Sequence, residues 1–267
     1  MTLIAVAPNG ARKTKDDHLS LPMTIDEIAT EAKACYEAGA GMIHLHVRDE
    51  LGHHSLSVDL YRQAMQAINE ATDNQMIIQV TTEAVGKYEP DEQFGMIHAL
   101  RPDAVSIAIR EIRKLDELDI FENFDLMREK SVRPQLILYN QFDLKKYEYW
   151  LSEGILPGDA YPILLVLGKS HAQGSFTLSD LQEKPEITAS SIMVCAFGDE
   201  EFSAGKLAVS HDWHVRLGFE NNHLLENGEI AKNNAELIAQ MRDYIHSQKK
   251  EIMQKSNEIK AILTPEW

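Results

Sequence analysis

The feature that most constrains this chain is the alternation of short apolar segments with longer amphipathic ones along its whole length. Eight apolar segments have the composition of buried strands. They are Leu3–Ala7, Met42–Val47, Met76–Thr81, Ala104–Ala108, Gln135–Tyr139, Ile163–Leu167, Ile192–Ala196 and His214–Gly218. Eight strand–helix units imply a parallel sheet covered by helices, and eight parallel strands can close into a (β/α)8 TIM barrel.

Capping signals mark several of the intervening helices. The segment Thr24–Ala38 opens with a Thr-x-x-Glu capping box made by Thr24 and Glu27. Ser57–Glu70 also begins with a capping residue, and Ala231–Ser247 is predicted as the final helix. The alternative architecture is an open doubly wound sheet, but the first strand is not followed by a GxGxxG motif. The sequence therefore favours the barrel.

Length and composition fit one soluble enzyme domain over residues 1–267, since single barrels commonly have about 250 residues. No apolar run approaches the ~20 residues that cross a bilayer, and the first residues lack the pattern of a signal peptide. We expect a cytoplasmic protein in which Cys35 and Cys195 are unpaired, buried thiols. A net charge of −16 predicts that neither nucleic acid nor an anionic membrane is a partner.

Two histidines stand at the end of the second predicted strand. Residues i and i+2 of a strand point to the same face, so His44 and His46 can both face the barrel interior. Catalytic groups of such barrels lie at the C-terminal ends of strands, where two imidazoles can bind one metal ion. The alternative is a pair of core histidines satisfied by hydrogen bonds. Their place at the strand end favours a metal site.

A site with two histidines usually takes a third ligand, often a carboxylate. Glu220 ends the eighth strand, which closes against the first, so it can lie across a narrow mouth from His44 and His46. Glu83 and Glu111 are competing third ligands, although a solvated loop carboxylate is the simpler interpretation of Glu111.

Arg216 shares the strand parity of Glu220, four residues later, and is expected to face inward. An inward arginine is costly unless it meets a carboxylate or an anionic substrate. A structural ion pair with Glu220 or Glu83 is the simpler alternative.

Several polar residues follow the predicted strands and could contact a substrate. Thr81, Thr82 and Ser106 offer hydroxyls, although threonine is also common in strands for packing reasons. The loop after the first strand contributes Asn9 and the basic residues Arg12, Lys13 and Lys15, whose alternative is a solvated loop. Weaker candidates are Gly168-Lys169-Ser170 for a phosphate and His171 for a substrate contact, whereas His53 and His54 are predicted to lie on the surface.

Four segments resemble the β-keto acid cleavage enzymes. They are Ala-Pro-Asn-Gly-Ala-Arg at 7–12, Gly-Ala-Gly-Met-Ile-His-Leu-His-Val-Arg-Asp at 39–49, Gln-Val-Thr-Thr-Glu-Ala-Val-Gly at 79–86 and His-Val-Arg-Leu-Gly-Phe-Glu-Asn-Asn at 214–222. Asn234-Ala235-Glu236-Leu237 also fits, so the resemblance covers nearly the whole chain. The pairing of His-x-His with Val-Arg-x-Gly-x-Glu is its most specific part.

The resemblance implies a zinc-dependent TIM barrel that converts a β-keto acid and acetyl-CoA into acetoacetate and a new acyl-CoA. His44, His46 and Glu220 match the metal ligands of the family, and Arg216 matches its active-site arginine. Thr81 and Ser106 fall where the family places hydroxyls against the carboxylate and keto groups of the substrate, and the family suggests a homo-oligomer, a tetramer. No protein nucleophile is required, because a Lewis acid can stabilise the carbanion between two carbonyl groups.

The chain departs from the family pattern in two places. The family usually has aspartate after the ligand glutamate, whereas this chain has Asn221, whose amide cannot act as a base. Glu83 is the candidate substitute base. In the loop after the first strand, a lysine-fermentation member of the family has an acidic residue that holds a substrate amino group, and this chain has Arg12-Lys13-Thr14. A neutral or anionic substrate tail is therefore expected, with Arg12 and Thr14 among the residues that contact it.

Three other classes of protein remain compatible with the residues. A hydrolase of the amidohydrolase type is disfavoured, because such barrels carry His-x-His on the first strand and further histidines on the fifth and sixth. A metal-dependent aldolase that needs no CoA is harder to separate, and dependence on acetyl-CoA distinguishes it. A non-catalytic metal-binding barrel that lost activity with Asn221 is the third alternative.

Overall fold

The computed structural model describes residues 1–168 and 174–267. Its strands are β1 (Thr2–Val6), β2 (Met42–Leu45), β3 (Val47–Arg48), β4 (His54–Ser55), β5 (Ile77–Thr81), β6 (Ala104–Ala108), β7 (Arg133–Leu138), β8 (Pro162–Leu167), β9 (Ser191–Ala196), β10 (His214–Leu217) and β11 (Ile252–Met253). Its α-helices are α1 (Ile25–Ala38), α2 (Val58–Ala71), α3 (Pro90–Leu100), α4 (Ile109–Ile112), α5 (Glu117–Glu129), α6 (Gln141–Ser152), α7 (Leu178–Gln182), α8 (Glu201–Ser210), α9 (Asn234–Ser247) and α10 (Ser256–Leu263).

Eight of the strands form a closed parallel barrel. The order around it is β10-β9-β8-β7-β6-β5-β2-β1, and β10 pairs with β1 to complete the ring. Between successive barrel strands the chain forms helices that pack outside the sheet. The predicted (β/α)8 TIM barrel is confirmed, and each predicted strand lies within two residues of an observed one.

Three details differ from the sequence predictions. The second strand ends at Leu45, because Val47–Arg48 leaves the barrel to pair antiparallel with His54–Ser55. The helix predicted from Ala231 begins at Asn234, where the side chain of Asn233 caps the first turn. That helix is not the final one, since the short α10 follows it.

The barrel interior changes from apolar at its N-terminal end to polar at its C-terminal mouth. Apolar side chains from the strands fill the lower layers, and Met253 from β11 with Ile259 and Leu263 from α10 close the bottom. A second apolar layer packs the helices against the outside of the sheet. The polar side chains His44, Gln79, Ser106, Gln135 and Arg216 are all buried. Since buried polar groups require partners, the polar end is where a site is expected.

Two expectations about the whole chain can be compared with the structure. Neither Cys35 nor Cys195 forms a disulfide, and both are buried, as predicted. Among the described residues, no helix combines the length and apolar character needed to cross a membrane.

Candidate metal centre and active site

Two imidazole rings meet at the mouth of the barrel. His44 lies on β2, and His46 lies in the link between β2 and β3. Both side chains are buried, and their Nε2 atoms are 3.2 Å apart. The prediction that the two rings share one face is confirmed, although β2 ends before His46.

Glu220 reaches these rings because the chain turns sharply after β10. Gly218 has a φ of 142°, and a Cβ atom there would lie 2.3 Å from the carbonyl oxygen of Ala7. The backbone N–H of Glu220 donates to that same carbonyl at 3.0 Å. A Cβ atom on Gly10 would lie 2.6 Å from Cγ of Glu220. Two glycines therefore allow the loops after β1 and β10 to approach closely enough to place the carboxylate.

His44, His46 and Glu220 fit a divalent metal ion. The Oε2 atom of Glu220 lies 3.4 Å from Nε2 of His46 and 3.7 Å from Nε2 of His44. Zinc bonds of 2.0–2.1 Å in a tetrahedron separate ligand atoms by about 3.3 Å, close to these distances. Oε2 is buried without a hydrogen-bonding partner among the described residues, and a bound cation would satisfy it. Neither Glu83 nor Glu111 belongs to this group.

The electrostatics of the group also suit a metal. Burial by itself would raise the pKa of Glu220, but the charge of Arg216 and the nearby rings of His46 and His44 hold it well below its usual value. Burial holds the pKa of His46 well below its usual value. The carboxylate is therefore charged and this imidazole is neutral, which are the forms that bind metals.

Arg216 faces inward beside the metal group, as its strand parity predicted. One of its terminal nitrogens lies 3.4 Å from Oε1 of Glu220, 3.4 Å from Oδ1 of Asn221 and 3.4 Å from Sγ of Cys195. The guanidinium is almost fully buried. An ion pair with Glu220 is thus present, and the same guanidinium lines the cavity beside His44.

Three hydroxyls close the strands on the opposite side of that cavity. Thr81, Thr82 and Ser106 are all buried. The hydroxyl of Thr82 donates to the carbonyl of Ser106 at 2.9 Å, and that of Thr81 accepts from the N–H of Glu83 at 3.1 Å. The hydroxyl of Ser106 has no hydrogen-bonding partner in the described part of the chain. Ser106 is therefore the hydroxyl best placed to bind a ligand, whereas the donor of Thr82 is already engaged.

Two carboxylates follow β5 and β6. Glu83 is half-buried and lines both this cavity and a second one beside the loop after β1. Glu111 lies on α4, where it accepts hydrogen bonds from the N–H of Ala84 and the amide of Gln93, and burial raises its pKa. The interpretation of Glu111 as a solvated loop carboxylate is wrong, because α4 begins directly after β6 and turns this side chain toward the loop after β5.

Asn9 supports the metal group from the loop after β1. Its amide nitrogen lies 3.0 Å from the carbonyl of Pro22 and 3.3 Å from that of His46, and its buried oxygen has no partner among the described residues. Arg48, which sequence analysis did not single out, donates to the carbonyls of Gly10 and others in the same loop. These two residues hold the loop against the barrel mouth.

The basic residues of that loop have separate surroundings. Arg12 is exposed and lines the second cavity. Lys13 lines it too, but its ammonium donates to the carbonyl of Phe219 at 2.6 Å. The hydroxyl of Thr14 accepts from a backbone N–H two residues later, and Lys15 forms an ion pair at the start of α1. Among the described residues, Arg12 is the cation of this loop whose side chain forms no ion pair or hydrogen bond, so it can meet a ligand at the mouth.

Glu201 is a buried residue that sequence analysis missed. It begins α8 and accepts hydrogen bonds from the N–H of Gly218 and the amides of Asn221 and Asn222, at 3.0, 3.2 and 3.5 Å. Burial raises its pKa to about 8. The sequence pattern that could have revealed Glu201 is the run of three acidic residues at 199–201, after the seventh barrel strand. Only the fold distinguishes the buried Glu201 from its two exposed neighbours.

The surface prediction was right for one neighbouring histidine and wrong for the other. His53 is exposed, whereas His54 is buried, with its ring 5.1 Å from that of His46 and its Nε2 atom 2.9 Å from the carbonyl of Glu83. The β3–β4 ribbon turns His54 inward, which no local pattern signals. Lys169, Ser170 and His171, the weaker ligand candidates, lie outside the described residues.

Nearly the whole chain matches a known family. The model of the beta-keto acid cleavage enzyme family matches residues 1–264. The chain belongs to this family.

Individual relatives agree with this membership. The chain is 30% identical over 245 residues to a 3-keto-5-aminohexanoate cleavage enzyme of Acetoanaerobium sticklandii, which covers 88% of both chains. It is 24% identical over 254 residues to a 3-oxoadipate:acetyl-CoA acetyltransferase of Cupriavidus necator, covering 90% of this chain and 86% of the relative. A solved ternary complex of ObcA with a C4-CoA adduct and oxalate superposes with a TM-score of 0.70 at 13% identity, covering 90% of this chain and 67% of ObcA, which supports the fold alone.

Proposed function

We propose that this protein is a zinc-dependent acyltransferase, acting as one domain over residues 1–267, that exchanges acyl groups between a β-keto acid and acetyl-CoA. The reaction is R-CO-CH2-COO⁻ plus acetyl-CoA giving R-CO-CoA plus acetoacetate. The observation that carries the proposal is the buried group of His44, His46 and Glu220 beside Arg216, in a family member whose relative is an acetyl-CoA acetyltransferase.

A divalent metal held by His44, His46 and Glu220 would supply a Lewis acid to the carbonyl oxygens of the β-keto acid. Arg216 would stabilise the negative charge that develops on substrate oxygens, because its buried guanidinium lines the same cavity. Ser106 would donate its unpartnered hydroxyl to a substrate oxygen, with Thr81 beside it at the same register of the sheet.

Glu83 is the residue proposed to take the proton from the carbon between the two carbonyl groups. It lines the cavity with His44 and Ser106, and its carboxylate is half-buried, so it can reach a bound ligand. The resulting carbanion attacks the acetyl thioester and releases the CoA thiolate. That thiolate attacks the R-CO carbon, and cleavage of the adjacent C–C bond releases acetoacetate after the proton returns.

The loop after β1 supports a neutral or anionic tail on the substrate. Arg12 lines the second cavity with Glu83 and Glu220, so an anionic tail would find its partner there. Asn9 and Thr14 lie in the same loop, and Asn9 has a buried oxygen that a ligand hydroxyl or amide could reach. A cationic amino tail would meet the repulsion of Arg12 and is expected to be a poor substrate.

The test is acetoacetate release from purified protein on a panel of β-keto acids, with and without acetyl-CoA, together with the metal content per chain. The panel includes 3-oxoadipate for an anionic tail and 5-amino-3-oxohexanoate for a cationic one. Acetoacetate formed only with acetyl-CoA, with the anionic or neutral substrates preferred, supports the proposal. Product formed without acetyl-CoA identifies an aldolase or hydrolase, and bound metal without any product identifies a non-catalytic barrel.

Arg216→Lys tests the role of this guanidinium in the reaction. The substitution keeps the positive charge but removes the planar arrangement of N–H donors. Turnover is expected to fall by at least tenfold while the protein stays folded. Arg242→Lys, at the surface on α9, is its control and is expected to match the wild type.

A further inference from the structure

A line of buried polar side chains crosses the barrel interior from the metal group to the opposite strands. Nδ1 of His44 lies 2.9 Å from Oε1 of Gln79, and Nε2 of Gln79 donates to Oε1 of Gln135 at 2.9 Å. Nε2 of Gln135 points to the thioether sulfur of Met193 at 3.9 Å. All four side chains are at most 2% exposed. Burying two amides in a barrel core costs free energy unless their hydrogen bonds are made. The hydrogen-bonded arrangement of these side chains therefore suggests that they have a function.

The sulfur of Met193 determines which way round the two glutamine amides lie. A thioether sulfur can only accept, so the NH2 group of Gln135 faces Met193 and its oxygen faces Gln79. The NH2 group of Gln79 then faces Gln135, and its oxygen faces His44. Turning both amides over would bring the oxygen of Gln135 against the sulfur and forfeit that contact. The arrangement therefore favours a proton on Nδ1 of His44.

We propose that Gln79, oriented by Gln135 and Met193, is a positioning residue that fixes neutral His44 as the Nδ1–H tautomer and presents its Nε2 lone pair to the metal. This deepens the proposed function and rests on its metal site. His44 and Gln79 are partners at the same register of β2 and β5, so the sheet itself holds the two side chains together. Metal-binding histidines commonly donate their second N–H to such a partner.

The other histidine of the group shows the contrast. Nδ1 of His46 is buried and has no hydrogen-bonding partner among the described residues, so no comparable acceptor orients that ring. In this proposal the Nε2 lone pair of His44 is oriented toward the metal position before the metal binds, whereas among the described residues the ring of His46 is not held by such a hydrogen bond. The proposal predicts that metal affinity depends on Gln79 and on Gln135, although the amide of Gln135 bonds only Gln79 and Met193 among the described residues.

The first measurement is the tautomer of His44 in the metal-free full-length protein, by NMR of ring nitrogens assigned with a His44→Gln variant. The wild type is expected to show Nδ1–H, and Gln79→Leu is expected to lose it. Gln79→Glu keeps an acceptor for the ring and is expected to retain it. An Nε2–H tautomer in the wild type, or no change in Gln79→Leu, overturns the inference.

The second measurement is the affinity for Zn²⁺, and for Co²⁺ followed by its visible absorption. Gln79→Leu is expected to lower affinity by about 10- to 100-fold, the usual effect of removing such a partner. Gln135→Leu is expected to lower it by a smaller factor, and Gln79→Glu to bind within a few-fold of the wild type. Gln254→Leu is the control, because within the described part of the chain this amide bonds the carbonyls of Tyr36 and Ala40, at the other end of the barrel.

Neither measurement uses a β-keto acid or acetyl-CoA, so the two proposals fail separately. A fixed tautomer and a Gln79-dependent affinity in a protein without turnover would keep this inference and remove the acyltransferase. Wild-type affinity in both Gln79→Leu and Gln135→Leu would remove this inference and leave the acyltransferase to its own assay.

Discussion

Nδ2 of Asn221 lies 3.2 Å from Oε1 of Glu201, to which it donates a hydrogen bond. The oxygen of the same amide accepts from Arg216 at 3.4 Å. Because a guanidinium only donates, the oxygen of the Asn221 amide faces Arg216 and its NH2 group faces Glu201. Asn221 therefore links Arg216 to the carboxyl group of Glu201, which lies one hydrogen bond farther from the guanidinium.

Asn221→Asp is expected to destabilise the protein by roughly 1–3 kcal/mol, because it sets two buried carboxyl groups against each other. Adding Glu201→Gln should recover most of the lost free energy of unfolding. The double variant again pairs one carboxyl group with one amide, with the carboxyl group now at position 221 and the amide at position 201. Urea unfolding of the metal-free wild type, both single variants and the double variant measures the coupling. Strictly additive losses would show that the two side chains do not act as a pair.

Glu83→Gln is expected to lower turnover by about 10²- to 10⁴-fold, the usual contribution of a general base, while metal content stays at the wild-type value. The amide keeps the shape of the side chain but cannot take a proton. Steady-state kinetics and metal analysis of the same preparation measure the two effects. Glu50→Gln, an exposed carboxylate in the loop between β3 and β4, is the control. An unchanged turnover would remove Glu83 from the mechanism.

Glu220→Gln is expected to abolish the stabilisation that Zn²⁺ gives the protein. With free Zn²⁺ at 100 times its dissociation constant, binding to the folded state alone adds about 2.7 kcal/mol to the free energy of unfolding. The variant loses the charged ligand, so thermal unfolding with and without Zn²⁺ should give nearly equal midpoints. Glu226→Gln, a surface carboxylate, should retain the wild-type shift. Equal shifts in both variants would place the metal elsewhere.

The buried ring of His214 is expected to make stability fall in acid. Its Nδ1 atom accepts from the N–H of Leu3 at 3.2 Å, and burial lowers its pKa to about 4. The folded protein therefore binds fewer protons here than the unfolded chain, whose histidine pKa is about 6.5. This contribution is present above about pH 6.5 and is lost as the pH falls toward 4, up to roughly 3 kcal/mol.

His214→Gln is the test of that pH dependence, since an amide oxygen can still accept from Leu3 but does not titrate. Urea unfolding between pH 4 and 7 should give a shallower slope for the variant than for the wild type. Another buried histidine, His54, also has its pKa lowered to about 4. The variant is therefore expected to keep part of the dependence of unfolding free energy on pH. Identical slopes would contradict the assignment to His214.

Gly218→Ala is expected to cost at least about 1–3 kcal/mol and to reduce metal affinity, because its Cβ atom would lie 2.3 Å from the carbonyl oxygen of Ala7. Relief of that clash moves the loop that carries Glu220. Gly228→Ala is the matched control: its φ is also positive, at 83°, but a Cβ atom there meets nothing within 4 Å. Equal effects of the two substitutions would show that the backbone angle, and not the clash, limits position 218.

The sequence predicted the barrel and the ligand group because both depend on short-range patterns. Strand and helix periodicity sets the eight units, and strand parity sets which side chains face inward. His44 and His46 share one strand end by their spacing alone, and Arg216 and Glu220 share another. The rule that such barrels carry their sites at the C-terminal mouth then brings the two strand ends together.

Only the tertiary structure decided how the remaining polar residues are used. Glu201 is buried while its acidic neighbours are exposed, His54 turns inward on a two-residue ribbon, and Gln79 meets Gln135 across 56 positions of sequence. Whether a side chain is buried, and which atom it bonds, depends on contacts between segments far apart in the chain. Hydrophobic patterns determine which face a residue takes, whereas the partner that satisfies a buried polar atom is set only when distant strands are brought into register.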